Sequence, residues 1–199
     1  MKKRYYILIM IIVGLLFSES SKKNALAVSI RETEQPLETQ TPNEGEESGV
    51  SLRTIYSAVR QAYGENYMPT MSYDSKIIEE FFGIKSSFYE EAIAEGPEIS
   101  AHIDTFIAIR AKEDKVKEVK RLLMKYREDL MKDTLQYTIN IPKIHASKVI
   151  VRGNYVFFVM LGEIPIELEE QGKQAMMELA NKNNQIAIDA IDKIMKKNK

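Results

Sequence analysis

The clearest structural signal in the chain is VIVRGNYVFFVML, residues 149–161, in which two apolar runs flank a Gly-Asn pair. A two-residue Gly-Asn loop is typical of a β-hairpin, because glycine readily adopts the positive φ that the tight turn needs. This loop sets Arg152 opposite Tyr155, and the following side chains alternate between the two faces of the sheet. One predicted face is therefore wholly apolar and should pack under a helix: Val149, Val151, Val156, Phe158 and Met160.

The second predicted face of the hairpin mixes charged and apolar side chains and leaves two alternatives open. A helix could cover it, with the stems of Lys148 and Arg152 reaching out to solvent. Alternatively, Arg152, Tyr155 and Phe157 could form an aromatic patch that binds a partner. The amphipathic helices predicted elsewhere in the chain favour a covering helix, since each needs a surface on which to dock.

Outward from the hairpin, the periodicity of apolar residues predicts the order α-α-β-β-α-β-β-α. The first two helices should begin at the N-caps Ser51 and Asp74 and end at Gly64 and Gly83. Alternating patterns predict strands over residues 88–94, 102–110, 145–152 and 155–161. Residues 112–132 and 166–197 have helical periods. The fold class is therefore α+β, with a mainly antiparallel four-stranded sheet packed with helices.

The N-terminal residues predict export. Lys2, Lys3 and Arg4 precede thirteen apolar residues, 5–17, a run too short for a full membrane span but typical of a secretory signal. Residues 1–28 are thus a signal peptide, cleaved after Ala27, or a retained membrane anchor. Residues 29–50 read as a disordered acidic linker, and residues 51–199 as a single α+β domain ending in a long amphipathic helix. We expect an extracytoplasmic protein, secreted or anchored to the cell membrane by its N-terminal segment.

Composition excludes several classes of function. The formal net charge is -1, and no basic cluster is interleaved with aromatic residues, so nucleic acid is not an expected partner. The absence of cysteine excludes disulfides, thiolate zinc sites and thiol nucleophiles. Motifs of phosphate-binding loops, zinc proteases and serine hydrolases are missing from the sequence as well. We therefore predict no catalytic residue, no metal and no cofactor.

Four segments of the chain resemble a known family: YMPTMSYD, FFGI, HIDTFIAIRAKEDKVKEVKRLL and ASKVIVRGNYVFFVMLG. Over residues 63–162 the chain is similar to the uncharacterised bacterial domain of unknown function 4358, found mostly in exported proteins and lipoproteins of Gram-positive anaerobes. The resemblance implies an extracytoplasmic location and a consistent fold, but no activity or residue role. Where lipoproteins carry their lipidated cysteine, LLFSES has serine, which argues against a lipid anchor.

Residues 66–74, NYMPTMSYD, are the first candidate binding segment. Tyr67, Met71 and Tyr73 surround Pro69, and methionine and tyrosine are common on adaptable binding surfaces. The segment could therefore form an apolar binding lip. The alternative is a turn whose side chains plug the end of the core and orient the next helix.

The stretch SAHID is the sharpest candidate for chemistry, because Ser100, His102 and Asp104 alternate along a predicted strand. Residues two apart on a strand are separated by almost 7 Å, too far for the hydrogen bonds of a serine triad. A metal pair of His102 and Asp104, completed by His145 or Glu90, remains conceivable. The simpler interpretation is a polar strand face beside a loop.

The last helix ends in the basic sequence KIMKKNK, residues 193–199. It could touch anionic lipid or a partner helix, self-associate, or dock on the domain with a favourable positive C-terminus. Overall, we expect a non-catalytic binding or accessory module at the cell envelope, whose partner is a protein or an envelope component, with the membrane as a further partner if the signal is uncleaved. The alternative is a secreted hydrolase with a site near His102 and Asp104. The predicted binding residues are Tyr67, Met71, Tyr73, Arg152, Tyr155 and Phe157.

Overall fold

Five antiparallel strands form one sheet, with the predicted hairpin at one edge. The computed structural model describes residues 49–98, 102–133 and 135–197. The strands are Met71–Ser72 (β1), Tyr89–Gly96 (β2), Thr105–Ala111 (β3), Lys148–Arg152 (β4) and Tyr155–Met160 (β5). They lie side by side in the order β1-β2-β3-β5-β4. The α+β class is confirmed, whereas the predicted number of four strands is wrong.

The hairpin has the predicted register. Arg152 pairs with Tyr155 and Ile150 pairs with Phe157. Gly153 has a φ of 60°, as the tight turn requires. Strand β5 also pairs with β3, so β5 lies inside the sheet, between β3 and β4. The other side of β4 forms an edge of the sheet.

The described residues form five α-helices around the sheet: Leu52–Tyr63 (α1), Ser75–Phe82 (α2), Val116–Lys132 (α3), Asn140–Ala146 (α4) and Lys173–Lys197 (α5). The side chain of Ser51 accepts a hydrogen bond from the Thr54 amide, and Asp74 accepts one from the Ile77 amide. Both predicted N-caps are therefore confirmed. These caps satisfy amide groups that the first turn of a helix leaves without a partner.

Helices cover both faces of the sheet. On one face, residues of α2 and α3 pack against Ile107, Ile109 and Phe158. On the other, residues of α1 and α5 pack against Phe106 and Phe157. The predicted apolar hairpin face thus lies under α3, and the second hairpin face is covered by two helices. Burial of each large apolar side chain contributes about 1.5–3 kcal/mol, so both faces stabilise the fold.

Two parts of the chain fold differently from the prediction. Residues 140–146 form α4, although no helix was predicted there and a strand was expected from residue 145. Pro142 is tolerated because it lies in the first helical turn, where its missing amide removes no helical hydrogen bond. Strand β4 consequently begins at Lys148 rather than at residue 145. Strand β1 is defined by its pairing with β2. It is only two residues long, too short to show the alternation of apolar and polar residues that predicts a strand. The predicted helix over residues 166–197 is interrupted at Gly172, which separates a 3-10 helix, Ile166–Gln171, from α5.

The folded unit begins before the predicted boundary at Ser51. Val50 is 9% exposed and belongs to the core under α1, so the predicted linker ends earlier than residue 50. The Tyr155 hydroxyl donates a 2.6 Å hydrogen bond to the Val50 carbonyl. The predicted signal or anchor, residues 1–28, and linker residues 29–48 lie outside the described residues. Within the described ranges, no helix has the length and apolar character needed to cross a membrane.

Candidate functional site at the β1 edge

Three elements converge on the carboxylate of Glu95 at the β1 edge of the sheet. Tyr56, from α1, donates a 2.6 Å hydrogen bond to it, and Tyr67, from the segment before β1, donates one of 2.9 Å. Ser72 pairs with Glu95 in the sheet, and its hydroxyl lies 3.4 Å from the same carboxylate. The carboxylate therefore ties α1 and β1 to β2.

Arg60 completes this group, which we call the Glu95 cluster: Tyr56, Arg60, Tyr67, Ser72 and Glu95. The Arg60 guanidinium lies 5.6 Å from the ring centroid of Tyr56 and 5.2 Å from that of Tyr67, within the range of cation–π attraction. Its Nη1 atom donates a 3.2 Å hydrogen bond to the Tyr56 hydroxyl. The cluster contains one cation, Arg60, and one anion, Glu95, so its formal net charge is zero and it does not attract a charged ligand by net charge.

The two tyrosines are held in their neutral form. Burial, followed by the charge of Glu95 and their hydrogen bond, raises the pKa of Tyr67 well above its ordinary value. Burial and the hydrogen bond to Glu95 also raise the pKa of Tyr56, while Arg60 opposes that shift. Because both hydroxyls keep their protons, both continue to donate to Glu95 throughout the physiological pH range.

We expect the stability of the fold to fall as the pH rises above about 10, where tyrosine in the unfolded chain loses its proton. Below that pH both the folded and the unfolded chain keep the Tyr67 proton. Above it only the unfolded chain releases the proton, so unfolding becomes more favourable until the pH reaches the raised pKa of the folded state. In urea denaturation at several pH values, Tyr67→Phe should flatten this decline. An unchanged slope would contradict the raised pKa of Tyr67.

At neutral pH the same substitution tests the hydrogen bond itself. Tyr67→Phe should cost about 1.5–3 kcal/mol, since it removes a buried donor to a charged acceptor. The control is Tyr137→Phe, at a side chain that is 64% exposed, which should stay within about 0.5 kcal/mol of the wild type. Equal effects of the two substitutions would mean that the Tyr67 hydroxyl does not stabilise the fold.

The opposite face of β1 is apolar and partly open to solvent. Met71 and Phe81 are each 42% exposed. Tyr73 is half-buried between them and the core, and its ring lies 6.1 Å from that of Phe81 in an edge-to-face arrangement. The Tyr73 hydroxyl sits directly over Gly96, where a Cβ atom would lie only 1.8 Å away. The lack of a side chain at Gly96 therefore makes room for the Tyr73 hydroxyl at the sheet edge.

An open groove of about 210 Å³ lies beside this edge. It brings together two segments that the sequence presented as separate candidates, the segment of residues 66–74 and the neighbourhood of His102. The lining residues are Met68, Thr70, Pro97, Glu98 and His102. Together with Met71, Tyr73 and Phe81, this groove forms what we call the β1 edge surface.

The strand predicted over residues 102–110 begins only at Thr105, so His102 and Asp104 precede β3 in an irregular segment and do not share a strand face. His102 is exposed, whereas Asp104 is only 1% exposed and forms an ion pair with Lys143 of α4. The second Asp104 oxygen accepts a 2.7 Å hydrogen bond from the Gly162 amide. Both carboxylate oxygens are thus engaged away from His102.

The proposed metal partners do not join these residues either. Glu90 and His145 are exposed, and Glu90 lies 3.6 Å from the guanidinium of Arg110. Among the residues that the structure describes, no three histidine or carboxylate side chains are grouped as a metal site requires. Ser100 lies outside the described residues.

The hairpin residues predicted to bind a partner belong to the folded core or its rim. Tyr155 and Phe157 are 4% and 0% exposed, because α1 and α5 cover their face. Arg152 forms a two-pronged ion pair with Asp192 of α5, with distances of 2.6 Å and 3.0 Å. Of the six predicted binding residues, only Met71 and Tyr73 present surface at the β1 edge, since Tyr67 is 8% exposed.

Sequence reasoning missed Tyr56, Arg60 and Glu95. Tyr56 and Glu95 are 39 residues apart, and only the packing of α1 against β2 makes them neighbours. One local signal was available: Tyr56 and Arg60 lie four residues apart and therefore share a face of α1. Nothing in that spacing indicates a carboxylate partner.

A comparison with known protein families finds a match. The family model described as "Domain of unknown function (DUF4358)" matches residues 62–161. That range starts at the end of α1 and closes just after β5, so it includes the whole sheet, Tyr67, Glu95 and the groove. No curated protein matches the chain, and no solved structure matches it. As the segment resemblance predicted, the chain belongs to the DUF4358 family.

Proposed function

We propose that the chain is an exported, non-catalytic binding or accessory module of the cell envelope, whose β1 edge surface binds a protein or another envelope component. The observation that supports this role is the exposure of Met71 and Phe81 around Tyr73, beside an open groove. Flexible methionine and rigid aromatic side chains are the residue types that adaptable binding surfaces use. The N-terminal segment either releases the module or holds it at the membrane.

The Glu95 cluster supports a binding role by holding this edge rigid. Hydrogen bonds from Tyr56 and Tyr67 to Glu95 fix α1 and the segment before β1 against β2 before any partner arrives. A surface that is already ordered loses less conformational entropy on binding. A partner that buries Met71 and Phe81 would gain about 25 cal/mol for each Å² of apolar surface removed from water.

The hydrolase alternative has less support. A general base or nucleophile needs a side chain that can reach substrate, and Asp104 is buried with both oxygens engaged by Lys143 and Gly162. His102 lines the groove, and among its described groove neighbours one carboxylate is present, that of Glu98. The β1 edge surface is therefore better suited to holding a ligand than to activating water.

The location is tested by fractionating native cells and sequencing the N-terminus of the protein. We expect the protein in the medium with a chain that begins near Val28, or in the membrane fraction with the N-terminal segment retained. A full-length chain in the cytoplasmic fraction would sink the proposal of export.

The binding surface is tested in the same cells with a photo-crosslinking amino acid at single positions. A probe at Met71 should form a discrete crosslinked product. The matched control is a probe at Leu135, an apolar side chain that is 77% exposed and lies outside the β1 edge surface. Crosslinking at Leu135 but not at Met71 would place the partner elsewhere, and products at neither position would contradict a stable partner.

A further inference from the structure

The described chain begins at one particular end of the sheet, the end that carries the Gly153–Asn154 turn, which we call the hairpin end. The Tyr155 hydroxyl donates to the carbonyl of Val50. Gly49 lies so close to the same hydroxyl that a Cβ atom on it would be 2.6 Å away. The first described residues therefore lie at the hairpin end.

The C-terminal turns of α5 lie at the same end. Asp192 forms its ion pair with Arg152, the last residue of β4 before the turn. Ile191 packs in the same core as Val50 and Leu52. The two ends of the described chain are thus brought together, although they are far apart in sequence.

Exposed cations gather at this end. Lys193, Lys196 and Lys197 are exposed on the last turns of α5, and Arg53 is exposed in the first turn of α1. Asp192, on the same turns of α5, is paired with Arg152, which lowers the pKa of Asp192 through their hydrogen bond. Glu91 accepts a 3.1 Å hydrogen bond from the Leu52 amide beside Arg53 and lies 3.7 Å from the guanidinium of Arg110. Ile194 and Met195, which lie between the lysines in sequence, are half-buried and pack against the core. Clustered exposed cations are attracted to the negative surface potential of an anionic membrane.

The candidate binding surface lies at the opposite end of the sheet. Met71 of β1 pairs with Gly96, the last residue of β2, and Thr105 opens β3 opposite Met160. Strand β5 runs from Tyr155 at the hairpin end to Met160 at the far end, a distance of about 17 Å for its length. Contact of the hairpin end with a membrane would therefore leave the β1 edge surface facing away from it.

We propose that the hairpin end, through Arg53, Lys193, Lys196 and Lys197, binds the headgroups of anionic phospholipids and presents the β1 edge surface outward. This inference rests on the proposed extracytoplasmic location. A positive helix C-terminus is also favourable for the helix itself. That effect does not explain why Arg53 and the α5 lysines lie together at the end of the sheet where the described chain begins.

The test uses the fragment Glu46–Lys199, a compact unit that contains every buried residue of the three apolar cores, from Val50 to Ile191. In flotation with vesicles at low ionic strength, the fragment should bind phosphatidylglycerol mixed with phosphatidylcholine, and not phosphatidylcholine alone. Added salt should release it. The triple variant Lys193→Glu/Lys196→Glu/Lys197→Glu should weaken this binding on the order of 100-fold, at roughly 1 kcal/mol for each cation.

The matched control reverses three exposed lysines elsewhere, Lys76→Glu/Lys173→Glu/Lys182→Glu, with the same change in net charge. It should keep most of the binding. Equal losses in both variants, no binding to phosphatidylglycerol, or binding to soluble polyphosphate without binding to vesicles would each overturn the inference. Circular dichroism and thermal unfolding establish that the variants are folded. The fractionation experiment is independent of these outcomes, so export can stand if lipid binding fails.

Discussion

Replacing Lys143 with methionine should destabilise the fold by about 3–5 kcal/mol in urea denaturation, because it leaves the charge of Asp104 buried without its cation. Asp104 is 1% exposed and Lys143 is 7% exposed. After the substitution the Gly162 amide would still donate to the carboxylate, but no cation would be paired with it. A carboxylate in that position must either stay charged at high cost or take up a proton, and both outcomes weaken the fold.

Two controls separate the buried pair from charge loss in general. The double variant Asp104→Asn/Lys143→Met removes both charges and should recover a large part of the loss, since no ion is left uncompensated. Lys125→Met breaks the exposed pair with Asp129, four residues along α3, and should cost less than about 1 kcal/mol. If Lys143→Met cost no more than Lys125→Met, the Asp104–Lys143 pair would not hold the fold together.

This ion pair also bears on the candidate site. Asp104 follows His102 by two residues, so its attachment to Lys143 and Gly162 fixes the end of the segment that lines the groove. The same pair holds α4 against the start of β3. We therefore expect Lys143→Met to loosen the groove as well as the core, whereas the double variant should restore much of its order.

Phe157→Ala should cost about 3–5 kcal/mol, the usual range for deleting a buried aromatic ring. Phe157 is 0% exposed, and its ring stacks at 6.4 Å from that of Tyr155 beneath α1 and α5. The loss combines the apolar surface returned to water on unfolding with the cavity left between the sheet and two helices. The measurement is the free energy of unfolding, obtained from denaturant titration of wild type and variant.

Leu135→Ala is the matched control, because Leu135 is 77% exposed and its truncation should stay within about 0.5 kcal/mol. A Phe157→Ala variant that kept full stability would show that the second hairpin face is not a core surface. Such a result would reopen the alternative in which Tyr155 and Phe157 serve a partner.

The parts of this protein that local sequence predicted share a physical basis. The two-residue Gly-Asn turn sets the register of β4 with β5. Because side chains alternate along a strand with a period of two, this register also decides which side chains share a face. Ser51 and Asp74 mark helix starts, since each side chain bonds an amide only three residues away. The apolar period of residues 112–132 likewise predicted the helix that covers the apolar hairpin face. Each of these features arises from neighbours within a few residues.

The remaining features depend on contacts between distant parts of the chain. Strand β1 exists because β2 offers it hydrogen bonds, and two residues carry no period by which to recognise it. Asp104 and Lys143 are 39 residues apart, as are Tyr56 and Glu95, so neither the buried ion pair nor the Glu95 cluster has a local pattern. The covering of Phe157 by α1 and α5 is of the same kind. Local periodicity shows which side of a helix or strand is apolar, but the partner of that side is selected only when the whole chain packs.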